Sequence, residues 1–449
     1  VTRRSRQKVG CRGGELKTPG SWLLRQCCDR RTSHRFCSAQ RGIGTVARVT
    51  EVGIVYGGGL VQGLALVSFP AAATILTAAD GYGLSSSQYG GIFLPLFVGS
   101  VLASLLAPAL ARLRGLRTVL IVGFAANGAS MAAFALSAAI TGVPSVAYAM
   151  VLLATGLLGI GFGATLTAIN AFAAGFFPHR SETAVTALHT LLGTGTALAP
   201  LIVALLTEGG QWWLLPVALA VAALGLALLA LTQTLRIAAE DEQSATLGAA
   251  AVARALPVRS WIWLAFALLY GICETLFGNW GTVYLHQQRS LSAADANLAL
   301  AVFWGAVTIG RLLVAVVSVK IPPSVIFRAL PVLIVIALAC VAAASGATSG
   351  VLAFALAGLA CSACLPLSIG TASEETPAFV ETISGWMVAA YMMGYGIGAF
   401  AVGPVRQLGD LQLSAVYAGA TVIAAAMVVL AAMLARAPAG AVAQGTGAK

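Results

Sequence analysis

A handful of ionisable and amide side chains stand inside long apolar runs of this chain. Glu274 lies in YGICETLFGNWGTVYL, His189 in TALHTLLGTG, Arg311 in AVTIGRLLVAV and Asn170 in LTAINAFAAG. A charge at the middle of an apolar helix in lipid costs at least ~2.5–3.5 kcal/mol, so it persists only beside a partner or a watery cavity. Glu274 could exchange a proton or accept hydrogen bonds from a solute; its structural alternative is a carboxyl bonded to a neighbouring helix. His189, on the face shared with Val185 and Leu192, could relay a proton or satisfy a neighbour as a neutral imidazole. Arg311 reads as an ion pair or carbonyl clamp, with recognition of an anion as the alternative.

A second group has the chemistry of polyol binding. Aromatic faces stack on sugar rings and amides bond their hydroxyls, which singles out Asn170, Asn279, Trp280, Tyr284, Trp304, Trp386 and Tyr391. The tryptophans have a competing use as interface anchors or as packing in helix seams. Helical spacing puts Glu274, Gly278 and Gly281 on one stripe, with Trp280 and Tyr284 on the next. Cys361 and Cys364 share a helix face without a His or acid and read as small packing residues. No P-loop, HExxH or nucleotide fingerprint occurs, so neither an enzyme, a metal site nor a cofactor is expected.

The elements that must position these residues follow from composition. Only 9% of the 449 residues are charged and 59% are apolar, with 50 glycines besides. A soluble domain carries about 25% charge, so a soluble fold is excluded, and the hydrophobicity excludes disorder. The net charge of +11 is unevenly placed: residues 1–50 hold 12 Lys/Arg and 2 Asp/Glu, a balance of +10, leaving 14 and 13 for the rest, a balance of +1. The basic character belongs to a tail, and no nucleic-acid partner is expected.

From Glu51 onward, apolar runs of bilayer-crossing length alternate with short polar breaks. Twelve spans are predicted, near 53–78, 88–111, 117–141, 145–176, 183–207 and 212–235, then 260–286, 293–317, 323–345, 349–371, 379–404 and 412–435. The predicted organisation is a disordered basic tail (1–51), a six-helix bundle (52–235), a cytoplasmic linker (236–259), a second six-helix bundle (260–436) and a C-terminal tail (437–449). The loops on the side of the termini hold Arg112, Arg114, Arg117, Arg180, Arg236, Arg254, Arg259, Lys320, Arg328, Arg436 and Lys449; the opposite loops hold only Arg289 and Arg406. The positive-inside rule therefore places both termini in the cytoplasm, in the plasma membrane.

The tail contains Cys11, Cys27, Cys28, Cys37 and His34 without zinc-site spacing, and the first methionine of the chain is Met131. It holds no apolar stretch suited to a signal peptide. The reading is that translation begins near residues 46–52.

The two bundles echo each other. Gly99 precedes Arg117 by 18 residues, and Gly310 precedes Arg328 by 18. The fifth span reads ETAVTALHTLLGTGTALAP and the eleventh ETISGWMVAAYMMGYGIGAFAVGP, each with Glu-Thr, then Gly-x-Gly, then Pro. A duplicated six-helix unit is the reading, and pairs such as Gly193/Gly195 and Gly394/Gly396 would let helices approach closely.

Twelve helices in two six-helix halves with a cytoplasmic linker resemble the major facilitator superfamily, over essentially all of residues 52–436. At the turn between spans two and three, ALARLRGLRTVL keeps Gly115, Arg112, Arg114 and Arg117 of that family's loop motif, but Arg112 stands where the family has Asp. Within the family the chain looks most like the fucose-permease and glucose/galactose-transporter branch, through YGICETLFGNWGTVYL, FWGAVTIGRLLVAVVSVKIPPSVI and TAINAF. It departs from that branch in lacking an Asp inside span one and in having Leu166 where the branch has Glu in span four. The resemblance implies a monomeric secondary transporter in the lipid bilayer. It would move a small-molecule substrate, a sugar or related polar solute, together with protons, with Glu274 and His189 as coupling candidates. The alternative reading is proton-driven efflux of small amphipathic compounds; a non-transporting receptor is disfavoured because no large soluble module is present.

Overall fold

The computed structural model of the protein describes residues 49–235, 257–376 and 380–434; the basic tail, most of the predicted linker and the C-terminal tail lie outside them. Among the described residues, twelve helices are long and apolar enough to cross a membrane. They are α1 (Val49–Thr77), α2 (Ser86–Arg114), α3 (Leu116–Ala138), α4 (Pro144–Phe176), α5 (Thr183–Glu208) and α6 (Leu214–Thr232), then α7 (Val258–Arg289), α8 (Ala293–Val317), α9 (Pro323–Ala343), α10 (Ala347–Glu375), α11 (Ile383–Gly409) and α12 (Leu413–Leu434). No strand occurs among the described residues.

Local chemistry sets the helix ends. Ser85 and Gln88 form a reciprocal capping box at the start of α2, with Gln88 N donating to Ser85 Oγ at 3.2 Å and Ser85 N to Gln88 Oε1 at 2.9 Å. Pro144 and Pro323 open α4 and α9, where a missing N–H is harmless. Gly115 ends α2 at φ +82°, a backbone that a side chain would strain, which makes the two-helix corner of the loop motif. Arg259, read as linker, lies instead inside α7, because Pro257 starts that helix.

Four spans are interrupted, α2 among them at Ile92. α1 breaks at Ala72 after Pro70, α10 breaks at Ser362–Ala363, and α7 contains a π-helical turn over Leu276–Trp280. The π turn begins two residues after Glu274, so residues beyond it are rotated relative to a regular helix. Such turns recur at functional sites.

Helix pairing repeats with a shift of six. α1 packs on α5, α2 on α4 and α3 on α6; correspondingly α7 packs on α11, α8 on α10 and α9 on α12. Glycine makes the tightest of these contacts possible. A Cβ on Gly63 would collide with the Leu192 carbonyl of α5, and one on Gly195 with the Leu60 carbonyl of α1. Gly271 and Gly394 stand in the same relation to the carbonyls of Tyr391 and Leu268 in the second half. The duplicated unit is thus visible in the packing as well as in the sequence.

The halves meet through α5 with α8 and α2 with α11, a pair of contacts that the same symmetry exchanges. Gly193 faces Thr308, Gly396 faces the Phe97 ring, and Arg406 Nη1 donates to Ser86 Oγ at 2.6 Å. Thr282 Oγ1 donates to the Pro70 carbonyl at 3.1 Å, and Tyr89 OH to the Asn279 carbonyl at 2.7 Å. The Arg406–Ser86, Thr282–Pro70 and Tyr89–Asn279 contacts use the portions of the helices remote from Val49 and Leu434, while Gly193–Thr308 and Gly396–Phe97 meet near mid-helix. The halves are therefore joined at that end.

Candidate substrate and proton site

Glu274 sits midway along α7 and is 2% exposed. Its Oε2 accepts a hydrogen bond of 2.5 Å from Tyr391 OH of α11. Tyr391 stacks on Tyr270 (ring centroids 5.5 Å apart, 23° between planes), and Tyr270 OH donates to the Cys361 carbonyl at 2.8 Å. Tyr395, one turn beyond Tyr391, donates to Asn279 Oδ1 at 2.9 Å. The carboxyl is therefore held by the Tyr391 phenol of a second helix, and Tyr391 itself is half-buried. Among the described residues the only ion pair is Arg259–Glu375, at 2.7 Å near the terminal ends of α7 and α10, so Glu274 has no salt-bridge partner.

His189 of α5 is half-buried. Its Nε2 lies 2.9 Å from Asn170 Oδ1, while Asn170 Nδ2 donates to the Leu166 carbonyl at 2.8 Å. Since that amide nitrogen is already donating inward, its oxygen is the acceptor and His189 Nε2 carries the proton. Leu166 contributes its backbone carbonyl here, and Asn170 and His189 form an amide–imidazole pair between α4 and α5.

α5 and α8 run antiparallel: Ala197 lies 4.0 Å from where a Cβ of Gly305 would be, and Gly193 faces Thr308. Continuing that register one turn brings His189 level with Arg311. The Arg311 charge is within electrostatic reach of both His189 and Glu274, and its Nε donates to the Ser362 carbonyl at 3.1 Å, where α10 is broken.

The remaining candidates fall elsewhere. Trp304 belongs with this group: its ring packs on Gly278, 3.0 Å from a would-be Cβ, and its Nε1 is buried without a partner. Asn279 is 2% exposed and fully engaged, donating to Thr275 Oγ1 at 3.2 Å while its oxygens serve Tyr395 and Tyr89. Trp280 is buried in the contact between halves, donating to the Ala399 carbonyl at 3.1 Å. Tyr284 stacks on Tyr417 at 4.4 Å and accepts from Arg289 Nε at 2.8 Å, away from Glu274. Trp386 meets Trp261 edge-on at 6.0 Å, towards the terminal end. Apart from these candidates, Asn127 of α3 is buried with Gln62 and Thr165, to which its Nδ2 donates at 2.7 and 3.2 Å. Tyr270 and Tyr395 are participants that the sequence reading passed over; the i, i+4 spacing of Tyr391 and Tyr395 is the signal that could have found the second.

The loop arginines split in role. Arg117 donates from Nε to the Ala230 carbonyl at 2.8 Å and also to the Leu231 carbonyl, so it caps the end of α6. Arg112 and Arg114 occupy the last turn of α2, where cations complement the helix dipole.

Two bundles of six related by duplication, with polar groups facing the seam between them, define a polytopic membrane transporter. The family model of the Major Facilitator Superfamily matches residues 55–399, and the chain belongs to that superfamily. Its fold is similar to the nucleoside transporter NupG (TM-score 0.68, 15% identity, 86% of this chain and 98% of that one). It is similar also to a D-xylose-proton symporter (0.66, 16%, 86% and 96%) and to the E. coli fucose:proton symporter FucP (0.57, 16%, 86% and 98%). A search among curated proteins by sequence finds no match.

Proposed function

We propose that the protein is a proton-coupled symporter of a sugar or related polar solute, working by alternating access in the plasma membrane with both termini cytoplasmic. The observation that carries the reading is Glu274: a carboxyl 2% exposed, without an ion-pair partner among the described residues, bonded to a tyrosine of the helix that also lines the seam. A carboxyl so placed can hold a proton during the crossing and release it when Tyr391 moves aside. With cytoplasmic termini, the closed end is the external one and the chain is in its inward-facing state. The solved symporters of similar fold, for xylose and fucose, support the solute class.

Arg311, His189 and Asn170 add donors and acceptors beside Glu274 from the other helices of the seam. The test is uptake into liposomes of wild type and Glu274→Gln under an imposed pH gradient, with labelled sugars and cationic dyes. Sugar uptake that follows the gradient in wild type and loses that dependence in Glu274→Gln supports the reading. Export of dyes in place of sugar uptake would replace it with proton-driven efflux.

A further inference from the structure

Arg311 is the cation near Glu274 and His189, and it makes no direct ion pair among the described residues. Its Nε bond to the Ser362 carbonyl uses one of five N–H donors, and no carboxylate of the described residues pairs with it. Trp304, Thr308 and Arg311 recur at i, i+4 and i+7, one stripe of α8 turned towards α5 and α7. Thr308 Oγ1 is occupied by the Trp304 carbonyl at 3.0 Å, but Trp304 Nε1 is a buried donor with nothing to donate to. One stripe thus presents a buried donor without an acceptor and, two turns on, an exposed guanidinium that carries a full positive charge. When Glu274 carries its proton, a neutral sugar would leave that charge uncompensated within the membrane. The nearby Glu274 limits the complement to a single negative charge, since a dianion would face the carboxylate.

We infer that the transported solute is a small organic monoanion. Its carboxylate docks on the guanidinium edge of Arg311, and a neutral oxygen of the same molecule accepts from Trp304 Nε1. The inference rests on the proton-symport reading and specifies its substrate class. Arg311 and ionised Glu274 sum to zero charge; the anion takes the site to −1, and one proton from the loading side, bound at Glu274, restores zero. Solute and proton therefore cross together without net charge movement, and Glu274 releases the proton on the far side. The other groups facing Glu274 are Tyr270 on its own helix, Tyr391 and Tyr395 on α11, and Cys361 and Cys364 on α10. Phenols and thiols are ordinarily protonated at pH 5–7, which leaves the carboxyl as the titrating partner of Arg311.

The full chain in liposomes provides the test, with labelled D-glucuronate, D-gluconate and L-lactate as probes and D-glucose as the neutral control. At least one carboxylate should enter in response to an acid-outside pH gradient and be indifferent to a potassium diffusion potential. Arg311→Gln should raise its apparent KM at least tenfold, and Arg311→Lys should restore most of the affinity. If Arg311→Gln does not fold, saturable thermal stabilisation of wild type by the same carboxylate, and not by chloride, carries the test. Proton-coupled glucose uptake with no carboxylate moving, unchanged by Arg311→Gln, overturns the anion inference and leaves the symport reading standing. Carboxylate uptake driven by the membrane potential and untouched by Glu274→Gln overturns the symport reading while the anion site survives. Absence of carboxylate binding and transport, with glucose also immobile, overturns both.

Discussion

Gly394 and Gly396 lie two residues apart on α11, yet alanine at each should do different things. A Cβ at Gly394 collides with the backbone of Leu268 in the same half, whereas one at Gly396 comes within 2.7 Å of Cγ and Cδ2 of Phe97 in the other half. The Phe97 atoms are close to its own backbone, with its Cβ also 3.3 Å away, so the ring cannot simply swing aside. Overpacking of this kind costs about 1–3 kcal/mol. For Gly396→Ala the clash exists only while α2 and α11 are joined, and the gain in helix propensity is common to both states. The whole cost therefore falls on one conformational equilibrium, a shift of about 5- to 150-fold towards the state open at the end remote from the termini. Labels at the exposed residues Asp80 and Ser290, at that end of opposite halves, would report the separation as a distance distribution. Gly396→Ala should populate the longer distance while its thermal midpoint stays near wild type. Gly394→Ala should lower the midpoint and leave the distribution unchanged. Identical distributions for Gly396→Ala and wild type, or a longer distance in Gly394→Ala alone, would refute the division of the glycines between packing within a half and docking between halves.

Three further outcomes are expected. Arg117→Ala leaves the Ala230 and Leu231 carbonyls without their cap and should cost about 1–3 kcal/mol, read as a lower thermal midpoint and earlier proteolysis next to α6. Glu375→Gln breaks the two-bond pairing with Arg259 and weakens the bond from Trp263; a double-mutant cycle with Arg259→Leu should give a coupling of about 0.5–3 kcal/mol. Tyr82, in the loop between α1 and α2, bonds Ser137 at 2.6 Å, and burial pushes its phenol from 10.0 up to about 12. Its folded-state pKa is raised, so the stability it contributes is intact below pH 10 and is lost as pH climbs from 10 to about 12; Tyr82→Phe should remove that component of alkaline unfolding followed by circular dichroism.

The twelve spans were legible because each is a run of apolar residues of bilayer length, and a charged or Gly/Pro break separates each from the next. The duplication was legible in the paired Gly-x-Gly motifs of α5 and α11, and the packing shows why: one glycine of each pair serves its own half and the other serves the seam. Arg259 was misplaced because the polar text before it continues into the first turn of α7, whose outward side tolerates charge. The surroundings of Glu274 were only half legible. Tyr391 was among the candidates, but Tyr270 and Tyr395 look like ordinary core aromatics in an apolar run, and their orientation depends on which helix faces them. Asn279, Trp280 and Tyr284 follow Glu274 closely in sequence, but the π turn at Leu276–Trp280 turns them into packing contacts. No periodicity argument that assumes a regular helix could locate that turn.

Substrate-induced proton movement in liposomes, followed by an internal pH dye, tests the central claim most directly. With the transported solute added outside, wild type should acidify the lumen in proportion to uptake, and Glu274→Gln should bind the solute yet move no protons. Proton movement of wild-type size in Glu274→Gln would contradict the assignment of this carboxyl as the coupling group.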